Sequence, residues 1–174
     1  ATAAIGTLSG TDISFGTDVA LNSVNSSTTI PLVYDENAKA VVLSYEDQGN
    51  GRYGTSVVFQ PAYTATNFTA ENFIGMSRGP TSSITVTQAI GSTVDMQSNR
   101  GDYVCATYDS NSNKVVVAFS GDGNGNAGKA IVGTVSGTSI SFGTLAQFYS
   151  GRINGIGITF DSANNKVVVS YADV

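Results

Sequence analysis

The sequence predicts an all-β fold built from repeats of four-stranded antiparallel units, arranged like the blades of a β-propeller. Three observations predict it. Apolar residues recur at every second position and almost never at helical spacing. One turn that contains Asp occurs three times, and one Ser-Gly turn occurs twice. Because self-similarity at a period of about 20 to 50 residues is typical of repeat folds, we interpret the chain one unit at a time.

The Asp turn is the first repeated element. It reads VYDENAKAVVLSY around Asp35, TYDSNSNKVVVAF around Asp109 and TFDSANNKVVVSY around Asp161. Each copy has an aromatic residue, the Asp, a polar turn with Lys and an apolar run, which is typical of a β-hairpin. Since Asp, Asn and Ser side chains bond to nearby backbone, we assign these three carboxylates to capping turns rather than to catalysis.

The strand that enters each Asp turn has apolar residues at alternate positions. A strand places such residues on one face, so we predict that these triplets form the core. They are Ile30, Leu32 and Tyr34 in the first copy, Val104, Ala106 and Tyr108 in the second, and Ile156, Ile158 and Phe160 in the third.

The Ser-Gly turn is the second repeated element. The tract IGTLSGTDISFGT, which starts at Ile5, returns as VGTVSGTSISFGT from Val132. Its Ser-Gly pairs, Ser9-Gly10 and Ser136-Gly137, predict tight hairpins. One such hairpin and one Asp-turn hairpin together make a four-stranded unit, and serial units of roughly 40 to 50 residues are typical of propeller blades.

The chain predicts a single domain over residues 1–174, with units at about 1–47, 48–121 and 122–174. Closed propellers generally need four or more blades. Three units therefore leave three alternatives: two chains pair into a six-bladed ring, the units stack or open into a different β assembly, or further repeats lie outside this chain.

The middle unit carries an insertion. Asp109 and Asp161 are 52 residues apart, whereas Asp35 and Asp109 are 74 apart, a difference of 22. We place the inserted module at about 66–101. Its apolar residues, among them Phe68 and Phe73, favour a small hairpin or lid over disorder.

Composition excludes several classes of function. The net charge is −5, and the 8 basic residues are scattered, so we expect no nucleic acid partner. No run of 18 apolar residues occurs, so we expect no membrane insertion. The single Cys105 cannot form an internal disulfide, and we interpret it as a half-buried strand residue. The chain opens on Ala-Thr without Met, and we expect a processed form or a portion of a larger protein.

The loop GDGNGN is a calcium candidate, because Asp122, Asn124 and Asn126 stand at alternate positions. Calcium takes six to eight oxygens, and no acidic residue follows nearby to complete the shell. The equivalent loop DQGNGR has Arg52 where Asn126 stands. We therefore favour a Gly-Asn turn between units, and we expect no cofactor.

Catalysis finds little support in the sequence. His is absent, which removes the commonest general base, and no Ser or Thr has an evident activating partner. A glycosidase would need two carboxylates facing one cleft. We therefore expect no enzyme. Tyrosines could instead stack on sugars, although strand aromatics are more often core or rim; the glycan candidates are Tyr53, Tyr63, Tyr149 and Tyr171.

Two passages resemble known repeat proteins. AIVGTVSGTSISFGT followed by FDSANNKVVVSYAD resembles tandem β-repeats in long proteins of tailed phages, especially marine ones, and in related bacterial surface proteins. The insertion, TNFTAENFIGMSRG to TVTQAIGSTVDMQSNRG, resembles a short module that accompanies such repeats in tail-fibre-like proteins. The resemblance implies a virion or an extracellular surface as the location.

From the repeats, the polar surface and the resemblance we expect a structural protein: a fibre, spike or decoration subunit that assembles with itself or with other virion proteins and attaches to surfaces. A glycan-binding, lectin-like module is the alternative. A hydrolase is a third hypothesis, which requires two carboxylates within about 10 Å in a cleft.

Overall fold

A computed structural model of the chain describes residues 2–21, 30–61, 88–121 and 125–174, and the backbone of 63–66 and 83–86. The strands are β1 (Thr2–Ala3), β2 (Gly6–Ser9), β3 (Asp12–Phe15), β4 (Val19–Ala20), β5 (Leu32–Asp35), β6 (Ala40–Asp47), β7 (Tyr53–Gln60), β8 (Tyr63–Thr66), β9 (Ser83–Val86), β10 (Ala89–Ile90), β11 (Val94–Asp109), β12 (Lys114–Gly121), β13 (Ala127–Ser136), β14 (Ser139–Phe142), β15 (Ala146–Asp161) and β16 (Lys166–Asp173). A 3₁₀ turn, Gln48–Asn50, joins β6 to β7.

One antiparallel sheet, curled into half a barrel, dominates the structure. Its hydrogen-bonded order is β16, β15, β13, β12, β11, β7, β6, β5, with β10 also on β7 and β14 also on β13. Three small sheets pair β1 with β4, β2 with β3, and β8 with β9. The all-β prediction is confirmed. Among the residues just described, no helix is long and apolar enough to cross a membrane.

Two long strands make the sheet continuous. The first part of β11 pairs with β7 and the second with β12, and the register shifts where it changes partner. Strand β15 does the same between β13 and β16. Left-handed residues, Tyr103 at φ 51° and Gly155 at φ 65°, lie at these bends. The sheet thus runs through the unit boundaries expected near residues 47 and 121, and a propeller of separate blades is not confirmed.

The strand registers repeat with the sequence. A shift of 74 residues places the pairing of β6 with β7 on that of β12 with β13, so that Val41↔Phe59 becomes Val115↔Gly133. A shift of 127 places β1 with β4, and β2 with β3, on the pairs that β13 makes with β15 and β14. We use the term four-stranded group for β11, β12, β13 and β14 with the start of β15, in which β12 pairs with β13 across the unit boundary expected near residue 121.

The insertion lies at a hairpin tip. β7 pairs with β10 as β13 pairs with β14, and Phe59↔Ile90 corresponds to Gly133↔Phe142. Between the matching pairs Gln60↔Ala89 and Thr134↔Ser141, 28 residues, 61–88, replace six, 135–140. The sequence placed residues 89–101 in the insertion, but β10 and the first part of β11, which lie in this range, belong to the main sheet. Inside the insertion, β8 pairs with β9 as a short hairpin.

Two cores lie on opposite faces of β6. The central core joins β6 and β7 to β11, β12, β13 and β14; it comprises Ala40, Val42, Val58, Met96, Val104, Val115, Val117, Phe119, Ile131, Val135 and Ile140. The N-terminal core packs β6 and β7 against the start of the chain; it comprises Leu21, Leu43, Tyr45, Val57 and Phe59. A strand between two packed layers buries both faces, which explains why the apolar runs that follow the Asp turns are continuous rather than alternating.

In the first copy the core prediction holds for Ile30, which packs against the N-terminal core, and is wrong for Leu32 and Tyr34. Leu32 is 60% exposed and Tyr34 is 49% exposed, because β5 is the edge strand of the sheet. Val104 is buried, and Ala106 and Tyr108 pack against the central core. The third triplet, Ile156, Ile158 and Phe160, is half-buried. Burial follows position in the sheet more closely than it follows alternation.

Candidate functional site

The three Asp turns share one geometry. Each Asp carboxylate accepts the N–H groups two and three residues later, at 2.8 to 3.2 Å. The last turn residue is left-handed in every copy: Lys39 at φ 53°, Asn113 at φ 54° and Asn165 at φ 53°. One oxygen of Asp35, Asp109 and Asp161 is thus occupied by its own turn, which is the geometry of a cap.

The environments of the three turns differ. Asp35 is buried, at 1% exposure, whereas Asp109 and Asp161 bond within exposed turns. Bonds from Ser112 hold the pKa of Asp109 below its ordinary value, and bonds from Asn164 do the same for Asp161. These shifts stabilise the charged acceptor form, so the two groups are poorly suited to act as acids or bases near neutral pH.

A charged cluster, defined as Glu46, Arg52, Arg100 and Asp102, joins β6 and β7 to β11. Arg52 Nε donates to Glu46 Oε1, and Arg100 Nε donates to Asp102 Oδ1 at 2.9 Å. Arg52 Nη2 lies 3.9 Å from Asp102 Oδ1. Burial and the neighbouring Asp102 raise the pKa of Glu46, although Arg52 opposes the shift.

This cluster contains the two neighbouring carboxylates that a hydrolase needs. Glu46 is only 2% exposed and lies beneath the Arg52 guanidinium. A general acid or base must reach substrate or water, and each of these carboxylates is instead paired with an arginine. The arrangement suits a structural ion-pair network at the junction of β6, β7 and β11.

The calcium candidate falls mainly outside the described residues, because Asp122 and Asn124 are not among them. Asn126 is left-handed, at φ 63°, and its carbonyl accepts Ser120 Oγ at 3.0 Å and Ile153 N at 3.2 Å. Arg52 occupies the same place in the first copy, at φ 66°, with its carbonyl on Gly101 N. The Asn126 backbone carbonyl therefore stabilises this turn by accepting hydrogen bonds. Within the described part of the chain, no group of three or more Asp, Glu or Cys side chains could hold a metal.

The structure separates the candidate tyrosines. Tyr149 and Tyr171 form an aromatic cluster with Phe148: the ring centroids of Tyr149 and Tyr171 lie 5.0 Å apart, and those of Phe148 and Tyr171 lie 5.4 Å apart. Tyr53 begins β7, far along the sheet order from β16. Tyr63 lies in β8, and its side chain is outside the described residues.

Sequence reasoning missed the charged cluster. Glu46 follows an apolar run and Arg52 follows a loop, and neither position stands out in a single sequence. The detectable signal was the loop comparison, in which Arg52 takes the place of Asn126. A charged residue at a position where the repeat tolerates a neutral one indicates a local partner.

Comparisons with known proteins assign neither a family nor a function to this chain. No protein-family model, no curated protein and no solved structure matches this chain. The relation to phage repeat proteins therefore stays a prediction that rests on the quoted motifs.

Proposed function

We propose that this chain is a non-catalytic structural subunit of a virion or extracellular assembly, such as a fibre, spike or decoration protein. It acts by self-assembly and surface attachment, and its four-stranded groups serve as propeller blades. One observation carries the proposal: the two ends of the repeat array expose apolar strands whose counterparts in the middle of the array are buried.

The exposed strands have the character of an association surface. On the N-terminal hairpin Leu8 is 75% exposed and Phe15 is 66% exposed, and on β16 Val168 is 52% exposed. Open strand edges with apolar side chains favour pairing with another chain. Association with a second copy would remove these side chains from water.

The remaining surface supports structure over chemistry. The Asp turns use their carboxylates to cap backbone, and the charged cluster pairs its carboxylates with arginines. The insertion extends a hairpin tip, which is where binding segments are commonly carried on a rigid sheet. We assign surface attachment to this tip.

Light scattering of the 174-residue chain across a wide concentration range tests the proposal. We expect a mass above that of the 17.9 kDa monomer, rising with concentration. A strictly monomeric chain at every concentration contradicts self-assembly.

A lectin-like propeller module is the second candidate, and the aromatic cluster favours it. Tyr171 is 40% exposed beside Tyr149, and tilted aromatic pairs can hold a sugar ring. A glycan array on the parent chain and on Tyr171→Ala is the test. Binding that Tyr171→Ala removes supports this function, and an array without signal for any sugar class overturns it.

A further inference from the structure

We propose that β16 of one copy pairs with the N-terminal strand segment Thr2–Gly6 of a second copy, so that two half-units complete one four-stranded group. The inference rests on the proposed function and names its contact. The C-terminal half-unit is β15 with β16, and the N-terminal half-unit is β1 to β4. Together they contain the strands that one complete group contains.

Strand β16 and the N-terminal segment offer complementary strand edges. In the middle of the chain β12 pairs on one side with β11 and on the other with β13. Strand β16 pairs with β15, and no described strand lies on its other side. The N-terminal segment repeats β13 and pairs with β4 and β3, and the edge that β13 offers to β12 is free of any described strand.

The register of β12 on β13 predicts the register of β16 on the N-terminal segment of a second copy. β12 meets β13 with Val115↔Gly133, Val116↔Val132 and Ala118↔Ala130. β6 meets β7 in the same register, so the pairing is a property of the repeat. Shifts of 52 and 127 residues translate it to Val167↔Gly6, Val168↔Ile5 and Ser170↔Ala3 between copies.

Side chains at equivalent positions of the repeat differ in exposure. Val135 and Ile140 on the inner hairpin are 9% and 5% exposed, and they lie in the central core with Val58. Their N-terminal counterparts are Leu8 and Ile13, at 75% and 55%, and Val132, the counterpart of Val58, is 44% exposed. Docking of a second copy covers these three residues as the chain itself covers their counterparts.

Gly143 offers a contact site for the Ser-Gly turn of a second copy. A Cβ on Gly91 would lie 1.7 Å from the carbonyl oxygen of Thr138, so the Ser-Gly turn rests directly on Gly91. Gly143 is the repeat counterpart of Gly91, and its nearest neighbour is the Val132 carbonyl oxygen at 3.7 Å. The proposed contact places Thr11 of the second copy on Gly143.

The occupant is a second copy because the chain's own N-terminal segment is held elsewhere. Ala3, Ile5 and Val19 pack against the N-terminal core on β6 and β7. Strands β7, β11, β12, β13 and β15 lie between β6 and β16 in the sheet. The contact is head-to-tail, and closure after two copies would give a ring of six groups.

Disulfide trapping tests the register. In a Cys105→Ser background, Ala3→Cys and Ser170→Cys are made as two single variants and mixed under mild oxidation. The site is suitable because the equivalent pair inside the chain, Ser44 and Ser56, has its hydroxyl oxygens 2.8 Å apart. We expect a cross-linked dimer that reductant dissolves.

Two controls fix the interpretation. Ser44→Cys with Ser56→Cys in one chain should form an internal disulfide, which shows that the geometry permits the bond. Ala4→Cys mixed with Ser170→Cys shifts the register by one residue and turns the thiol to the opposite face, so we expect about tenfold less cross-linking. Equal trapping in both registers, or none while the internal control forms, overturns the pairing.

Light scattering on the same samples separates this inference from the proposed function. Oligomers without the in-register cross-link overturn the strand pairing and leave self-assembly standing, whereas monomers contradict both. An internal disulfide in the Ala3→Cys and Ser170→Cys double variant, with none between mixed single variants, would show that the chain closes on itself and would overturn the second-copy contact.

Gly143→Ala is a second test that does not use cysteine. Within one copy the added methyl group makes an ordinary van der Waals contact with the Val132 carbonyl oxygen at 3.7 Å, so the melting temperature of the dilute monomer should not change. It meets Thr11 in the assembly, so the dissociation constant should rise about tenfold or more. An unchanged dissociation constant overturns the seat on Gly143.

Discussion

Strands β12 and β16 have nearly the same sequence, KVVVAFSG and KVVVSYAD, in different surroundings. In β12 Val115, Val117 and Phe119 are 0% exposed. In β16 the counterparts Val167 and Tyr171 are 37% and 40% exposed. The difference comes from the strands on either side, since β12 has β13 beyond it, whereas β16 is the outermost strand of the sheet among the described residues. In a repeat protein, burial is therefore a property of position in the array, because each repeat is covered only by its neighbours.

The largest expected effect concerns Phe119 and Tyr171, which hold equivalent positions in β12 and β16. Phe119→Ala should lower the free energy of unfolding by about 3 to 5 kcal/mol, because it empties a buried site. Tyr171→Ala removes tilted ring contacts at the surface, and we expect a loss of about 1 kcal/mol. Urea denaturation of the dilute chain measures both. Equal losses of unfolding free energy for the two variants would show that Phe119 in β12 and Tyr171 in β16 contribute equally to stability.

The glycine pair Gly91 and Gly143 is the next test. Gly91→Ala places a methyl group against the backbone of Thr138, so we expect a loss of about 1 to 3 kcal/mol. Gly143→Ala is its matched control and should leave the urea midpoint of the monomer unchanged. If Gly143→Ala destabilises the monomer as much as Gly91→Ala does, a hairpin turn must contact Gly143 within one chain. The structure shows no such contact among the described residues.

The Asp turns extend the comparison to hydrogen bonds. Asp35→Ala should cost about 1 to 3 kcal/mol, because the Ala38 N–H loses its acceptor beside a buried site and the Asn37 N–H keeps only the Tyr108 hydroxyl at 3.3 Å. In Asp161→Ala, water can replace the lost acceptor of the exposed turn N–H groups. The melting temperature of Asp161→Ala should therefore fall by less than that of Asp35→Ala. A larger fall for Asp161→Ala than for Asp35→Ala would contradict the assignment of β16 to the open end.

The pH dependence should have opposite signs in the covered and open regions. The pKa of Asp161 is lowered, so its contribution is present above the unfolded value of 3.8 and is lost as pH falls through the folded value. The pKa of Glu46 is raised, so its unfavourable contribution appears as pH rises above the unfolded value of 4.5 and through the folded value.

Asp161→Asn and Glu46→Gln separate the two terms. We expect Asp161→Asn to flatten the pH dependence of the urea midpoint below pH 3.8, and Glu46→Gln to flatten it above pH 4.5. Parallel curves for the parent chain and both variants would exclude these groups as titrating contributors.

Local features could be predicted from the sequence. The Asp turns and the Ser-Gly hairpins depend on residues a few positions apart, and both have the expected form. The grouping of strands could not be predicted, because a periodic pattern has no marked beginning and any cut of it yields four strands. The pairing of β12 with β13, which crosses the boundary expected near residue 121, is visible only in the structure.

Features that depend on contacts between distant parts of the chain could not be predicted from the sequence for a different reason. The exposure of Leu32 and Tyr34 depends on β5 being an edge, which alternation within the strand does not report. The charged cluster depends on β11 crossing from β7 to β12, which brings Asp102 beside Arg52. Both require knowledge of neighbours that are distant in the chain.

The position of the insertion has a consequence for how such a chain can diversify. Residues 61–88 replace six residues at a hairpin tip, and the flanking pairs keep the register of the unmodified hairpin. Gln60 and Ala89, which flank these residues, are partners on adjacent strands. A segment whose ends lie one strand spacing apart can be exchanged at such a site, so the insertion can change while the architecture of the main sheet stays constant.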